Sequence, residues 1–352
     1  MRFFELIPSG THIDFLGKRR LCYAISLGLV LASFAAIPLR GIRLGIDFAG
    51  GTEVLVRFAD GVAADEGKLR PVVTACGALE PSVVRYGEGN LEYLIRFREV
   101  AEASAVQSAV DDASCPLTPG NRAALDAAAA AEGGEDAIGS VVDRLAFGLR
   151  NAVGALSIER VEFVGPKVGD DLRRDGFASI AIACLLILVY VGFRFSPRYA
   201  PGAVVALLHD VTITAGAFVL LGLEFDLTVL AALLAILGYS LNDTIVIFDR
   251  IRENMALHTK HDLEEVLNRS VNETLSRTLL TSGITVSAVL LLLVFGGEVI
   301  RPFAIAMTIG MVVGTYSSVY IAAAILLWLE RRQQAAPAGV AAPPGGGKRA
   351  RA

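Results

Sequence analysis

Six stretches of this chain are long and apolar enough to cross a bilayer as helices, and that pattern leaves little room for a water-soluble fold. A span needs about 20 mainly apolar residues, and the stretches are about Leu21–Leu39, Phe177–Phe195, Gly202–Leu223, Leu227–Phe248, Leu279–Phe295 and Phe303–Leu329. Hydrophobic residues make up 54% of the chain and charged residues 19%, and the mean hydropathy is +0.56, outside the range of an ordinary soluble domain. Orientation follows from Lys and Arg near the span ends, which are enriched on the cytoplasmic side. Arg2 and Lys18 to Arg20, then Arg194 and Arg198, then Arg250, Arg252, Lys260 and Arg269, then Arg331 and Arg332 all fall on one side. The opposite short loops carry only Arg301. Both termini are therefore expected in the cytoplasm, with residues 1–20 preceding the first span. That span lacks a small-residue cleavage site and is expected to be retained rather than removed as a signal peptide.

Residues 40–176 form the one large domain expected on the far side. Thr52–Phe58 and Leu91–Phe97 alternate apolar and polar as half-buried strands do, with Ser82–Tyr86 and Ser157–Val164 as weaker strands. Ile138, Val141, Val142, Leu145, Leu149 and Val153 mark one helix face, and Asp65–Cys76 a weaker first helix. The order strand, helix, strand, strand, helix, strand predicts an α+β, ferredoxin-like sandwich. Residues 101–136, Ala-rich and acidic, read as an insertion. At the other end, residues 249–277 carry Leu263, Val266, Leu267, Val271 and Leu275 at near-helical spacing, which predicts an amphipathic helix lying on the cytoplasmic lipid surface. Residues 330–352 read as a disordered tail whose basic end touches anionic lipid.

Chemistry by motif is sparse. Cys22 and Cys184 lie in or beside spans, while Cys76 and Cys115 share the far-side domain, where a disulfide between them is open. His12, His209, His258 and His261 are scattered, and no CxxC, HExxH, Walker loop or GxSxG occurs. GIDFAGG (Gly45–Gly51) is glycine-rich without the strand-to-helix context of a phosphate loop. Neither cofactor nor metal is expected, nor ATP consumption, nor a nucleic-acid partner.

The informative residues are polar ones inside spans. Asp243 sits within the fourth, where a carboxylate costs about 2.5–3.5 kcal/mol on insertion scales and usually faces a bundle interior, a partner or a water path. Mapped at 100° per residue, Tyr239, Ser240 and Asp243 share one arc, with Asn242 flanking it. On the fifth span Arg277, Thr278, Thr281 and Thr285 make a second stripe expected to face the first. His209, Asp210 and Thr214 place a further ionisable pair in the third span. Two readings stand side by side. Thr and Ser serve as packing hydrogen bonders between helices, and Asp243 with Arg277 could be a fixed ion pair. Alternatively, desolvation favours the neutral carboxyl while a guanidinium within about 4–6 Å favours the carboxylate, so moving the Arg would load and unload a proton. Gly310 and Gly314 form a GxxxG close-packing motif in the sixth span.

Three ordered motifs carry a family likeness: GIDFAGGTEVLVRF after the first span, VEFVGPKVGDDLRRDG entering the second, and HD in the third span followed by AALLAILGYSLNDTIVIFDRIREN and NETLSRTLLTS. Over roughly residues 10 to 330 the chain resembles the SecF subunits of the bacterial Sec protein-translocation machinery, within the resistance-nodulation-division superfamily. The resemblance implies an inner-membrane subunit, not an enzyme, that pairs with SecD, meets the SecYEG channel, and uses the proton motive force to help draw exported unfolded polypeptide across after the step driven by SecA. It also implies that Asp243 lies in the proton path, with Arg277 as its gating partner. Two other classes compete. A small-molecule exporter of the same superfamily would be expected to carry twice the spans and two external domains. A non-transporting assembly subunit would use the same charges only as glue.

Overall fold

The computed structural model describes residues 12–62, 64–76, 78, 79, 81–86, 91–97, 99, 100, 134–258 and 261–335. Most of the expected insertion, residues 101–133, and the tail beyond 335 lie outside them, as does Cys115. A 3-10 turn at Leu16–Lys18 leads into α1 (Arg19–Arg40). A two-residue strand β1 (Arg43–Leu44) and a single-turn helix α2 (Ile46–Ala49) follow. The α+β domain comprises β2 (Gly51–Phe58), α3 (Glu66–Ala75), β3 (Ser82–Tyr86), β4 (Glu92–Phe97), α4 (Gly134–Ala152) and β5 (Leu156–Val164). Then come α5 (Pro166–Arg194), α6 (Ala200–Leu221), strand β6 (Glu224–Phe225), α7 (Leu227–Leu257), α8 (Leu263–Phe295), α9 (Gly297–Ser317), a π-helical turn (Ser318–Ala322) and α10 (Ala323–Ala335). Among the described residues, six helical segments are long and apolar enough to cross a membrane.

The four-stranded sheet is antiparallel throughout, in the order β3, β4, β2, β5, which is the split βαβ arrangement expected from the strand and helix order. Alternation gives it two faces. Val54, Val56, Phe58, Tyr93, Ile95 and Phe97 pack with Leu69, Val72, Val73, Leu145 and Leu149 of the two helices, and the Tyr93 hydroxyl donates to the Ala64 carbonyl at 2.8 Å. The other face carries charge: Glu53 is buried between Arg96 and Arg160, and Arg96 also pairs with Glu224 of β6. Cys76 is disulfide-bonded, whereas Cys22 and Cys184 carry free thiols.

GIDFAGG works as a mechanical joint. Gly45 N–H donates to the Phe225 carbonyl at 2.7 Å, and Asp47 accepts from the Leu227 N–H at 2.9 Å, pinning α2 to the start of α7. That start is capped by Asp226, which accepts from the Val229 N–H at 2.8 Å. Gly50 and Gly51 take φ of 71° and 135°, conformations that favour glycine. A Cβ on Gly169 of α5 would lie 3.0 Å from the Gly50 nitrogen, so α5 rides directly on this turn.

The helix ends expected in the cytoplasm differ from expectation. Residues 249–277 do not form one surface helix. α7 runs on to Leu257 and α8 begins at Leu263, so the two helices extend side by side as a hairpin. Leu267, Val271 and Leu275 are buried against Phe15, Leu16, Ile247, Ile251, Leu326 and Leu327 rather than on lipid. Periodicity identified the apolar face, but a neighbouring helix covers it. Asn254 Nδ2 donates to Ser270 Oγ at 3.0 Å and to Glu273 Oε2 at 2.8 Å across the hairpin. Asn268 and Asn272 bind the Ile13 carbonyl at 3.1 and 2.8 Å, while their own oxygens accept from the Phe15 and Ile13 N–H groups. The tail expected from residue 330 starts as helix, since α10 continues to Ala335.

Candidate functional site

Asp243 lies midway along α7 with only 2% of its surface exposed. Ser282 Oγ of α8 donates to its Oδ2 at 3.1 Å, and Thr315 Oγ1 of α9 lies 3.0 Å from the Ser282 hydroxyl. One hydroxyl line therefore joins three spans. Arg277 belongs to α8 and acts electrostatically on Asp243, but the two make no ion pair within 4.0 Å among those described. Arg277 is instead exposed on the outer side of the bundle.

The expected meeting of two whole stripes does not occur. Thr278 is buried with its hydroxyl unpartnered. Thr281, however, is exposed and donates to its own helix at the Arg277 carbonyl, 3.0 Å, and Thr285 is half-buried and donates to the Thr281 carbonyl at 2.8 Å. The face of α8 that meets Asp243 is set by Thr278 and Ser282, one residue round from the expected Thr281, or about 100°. On α7, Tyr239 is half-buried with an enclosed, unpartnered hydroxyl, Asn242 is exposed, and Ser240 turns away from Asp243 towards α6.

There Ser240 meets the third-span pair. Asp210 is fully buried, with Oδ1 2.9 Å from His209 Nδ1 and Oδ2 accepting from Ser240 Oγ at 2.6 Å. Ser317 Oγ of α9 also lies 2.8 Å from Oδ2, and Thr214 Oγ1 donates to the Asp210 carbonyl at 2.8 Å. Next to Ser317, Ser318 Oγ is 2.9 Å from Thr244 Oγ1 and begins the π turn, a distortion often found at functional sites. The GxxxG glycines permit this approach within the chain itself: a Cβ on Gly314 would lie 3.0 Å from the Ser240 Cβ. Sequence mapping missed Ser282, Thr315, Ser317, Ser318 and Thr244. The visible signal was the run GTYSS (Gly314–Ser318), small and polar inside an apolar span. Among the described residues no group of three or more His, Cys, Asp or Glu converges as a metal set.

Residues 147–332, which contain every residue of both clusters, match the family described as Protein export membrane protein SecD/SecF, C-terminal, and residues 35–62 match the SecD/SecF GG Motif. The protein translocase subunit SecF of Calditerrivibrio nitroreducens is 38% identical over 329 residues, covering 92% of this chain and 96% of that one. This chain belongs to the SecF family. The SecF of Pseudomonas aeruginosa is likewise 38% identical, over 92% and 93% of the two chains. The crystal structure of SecDF, a translocon-associated membrane protein from Thermus thermophilus, superposes with a TM-score of 0.72 at 33% identity over 92% of this chain. This SecF-family chain spans only 39% of that longer one. With its six apolar helices it is a multi-pass membrane protein and a subunit of SecDF type. The GG motif of the family is the α2 joint described above.

Proposed function

We propose that this chain is the SecF half of a SecDF unit in the bacterial inner membrane that uses the proton motive force to assist polypeptide export through SecYEG, after the step driven by SecA. Asp243 takes up and releases the proton, and Arg277 is the counter-charge that approaches and leaves. The observation that carries this reading is a carboxylate 2% exposed in mid-span, held by one hydroxyl and making no ion pair with Arg277 among the described residues. A fixed structural ion pair would instead bring the guanidinium within 4 Å of the acid. Bringing it there favours the charged form and withdrawing it favours the neutral one, and each proton crossing yields about 2.3 kcal/mol per 100 mV.

A SecD partner is supported by what this chain leaves uncovered. In α5 and α8 only 17% of the apolar window is buried within the chain, and the outer side of the bundle carries Arg277, Thr281 and Asn242, which are costly against lipid. A second helical bundle would cover them and supply its own intramembrane acid. Both termini then lie in the cytoplasm and the sheet domain outside, where it meets the emerging polypeptide.

The test is export of a reporter protein into inverted vesicles holding the Sec channel, SecD and this chain. Asp243→Asn keeps a hydrogen-bonding side chain but removes the titrating group. It is expected to assemble normally and lose the gradient-dependent part of export. Full retention of that part would sink the proton-path reading and leave the charges as assembly glue.

A further inference from the structure

The cluster at Asp210 has a chemistry the Asp243 site does not require. His209 and Asp210 are consecutive on α6, and neighbours in a helix do not normally face each other, yet ring and carboxylate are 2.9 Å apart. One acid oxygen lies against His209 Nδ1, while hydroxyls of α7 and α9 donate to the other, so a single proton lies between Nδ1 and Oδ1 and the pair carries one negative charge unless Nε2 is protonated as well. The far ring nitrogen, Nε2, is enclosed and has no hydrogen-bond partner. With a neutral ring the pair is a buried net negative charge. With a protonated ring the pair is neutral, but an N–H is left unpaired. Each state lacks one thing, so neither is locked by the surroundings.

We propose that His209 and Asp210 form a second proton-binding centre, in which His209 Nε2 carries the exchangeable proton and Asp210 is the fixed counter-charge. The proposal rests on the proton-driven reading of the chain and adds a site to it. The ring is stacked on Tyr316, with centroids 6.3 Å apart and planes at 29°. The Tyr316 hydroxyl in turn donates to the Cys22 carbonyl at 2.8 Å and lies 3.0 Å from Ser26 Oγ. The titratable neighbours are thus Tyr316, the Tyr320 packed on it, and Cys22 of α1. α7 and α9 present only the hydroxyls of Ser240 and Ser317 to the acid, and no Lys or Arg pairs with Asp210 among the described residues. The proton on His209 is therefore the charge available to balance it.

The two centres share a helix. Thr315 belongs to the hydroxyl line of Asp243, and Ser317, two residues on, touches Asp210. A change of protonation at either centre pulls on the same turn of α9, next to the π turn at Ser318–Ala322.

The chain has four histidines, so replacing His12, His258 and His261 with Gln leaves one ring to observe. The full-length triple variant, 15N-labelled at histidine and reconstituted in lipid bilayers, is titrated by solid-state NMR. The expected result is a ring that changes from imidazolium to neutral as the pH is raised, with the change reported at Nε2. In Asp210→Asn the ring is expected to stay neutral throughout the titration. A His209 ring that holds one protonation state throughout in the Asp210 background, charged or neutral, overturns the proposal, as does a titration that Asp210→Asn leaves unchanged. His209→Gln is then assayed for export, with co-purification of SecD as the assembly control; a normal gradient-dependent component would also overturn it. The NMR titration needs no export, so it stands or falls separately from Asp243→Asn in the vesicle assay.

Discussion

Replacing Gly310 by alanine puts a methyl group into one of the closest helix contacts of the bundle. A Cβ at that position would lie within 3.0 Å of Cδ1, Cγ1 and Cγ2 of Ile236, whose side chain is fully buried on α7. Relieving the contact forces Ile236 off its rotamer or parts α7 from α9, a cost of about 1–3 kcal/mol for an overpacked core. Ile236→Ala alone leaves a cavity and costs about 2–5 kcal/mol. In the double variant the new methyl enters the volume that Ile236 vacates, and the overpacking term disappears. The pair is therefore expected to be less destabilised than the sum of the single variants by about 1–3 kcal/mol, well outside the ~0.5 kcal/mol scatter of independent sites. The assay is reversible unfolding in mixed micelles with rising SDS, followed by Trp328, the chain's single tryptophan, which stacks under Arg332 at 4.0 Å. Additive costs would refute the packing argument, and so would a neutral Gly310→Ala.

Three further outcomes follow from contacts outside the hydrocarbon. Tyr93→Phe removes the donor to the Ala64 carbonyl and is expected to cost about 1 kcal/mol of domain stability, measured by denaturant unfolding; a cost near zero would mean that water replaces the bond. Asn268→Ala with Asn272→Ala removes the bracket around Ile13 to Phe15, so limited proteolysis should cut faster ahead of α1 while α8 stays protected; an unchanged rate would place the hold elsewhere. Arg96→Ala leaves Glu53 its second partner, Arg160 at 3.0 Å. The sheet should stay folded, while amide exchange rises at Glu224 to Asp226, whose tie to the sheet is lost, and uniform loosening of the sheet would contradict this division.

Much of the architecture was legible because the bilayer imposes a strong length rule. Each span appeared as an apolar run. What hydropathy could not show was where a helix goes after leaving lipid: α5 begins eleven residues before the apolar run that starts at Phe177, and α8 sixteen before Leu279. The polar site was half legible. Asp243 and Asp210 stood out because ionised side chains are rare in spans, but Ser282 did not, because one serine among Thr278, Thr281 and Thr285 carries no distinguishing mark. Helical projection shows which residues share a face, not which face a neighbour occupies; packing of α8 on α7 and α9 decided that. The serines of α9 were passed over because hydroxyls in spans usually serve backbone or packing, as Thr308 does here with the Ala304 carbonyl at 2.8 Å.

The tie between Arg96 and Glu224, together with Asp47 at the head of α7, makes the sheet and the fourth span a single lever arm. Sixteen residues separate Leu227 from Asp243, about 24 Å of helix, so a tilt of about 10° pivoting at the acid sweeps the outer end of the span through about 4 Å. A rigid rod needs no relay of side chains to deliver that displacement. Its stroke is set by helix length and pivot position, and β6 at Glu224 is the crank pin through which a tilt of α7 would reach the sheet domain.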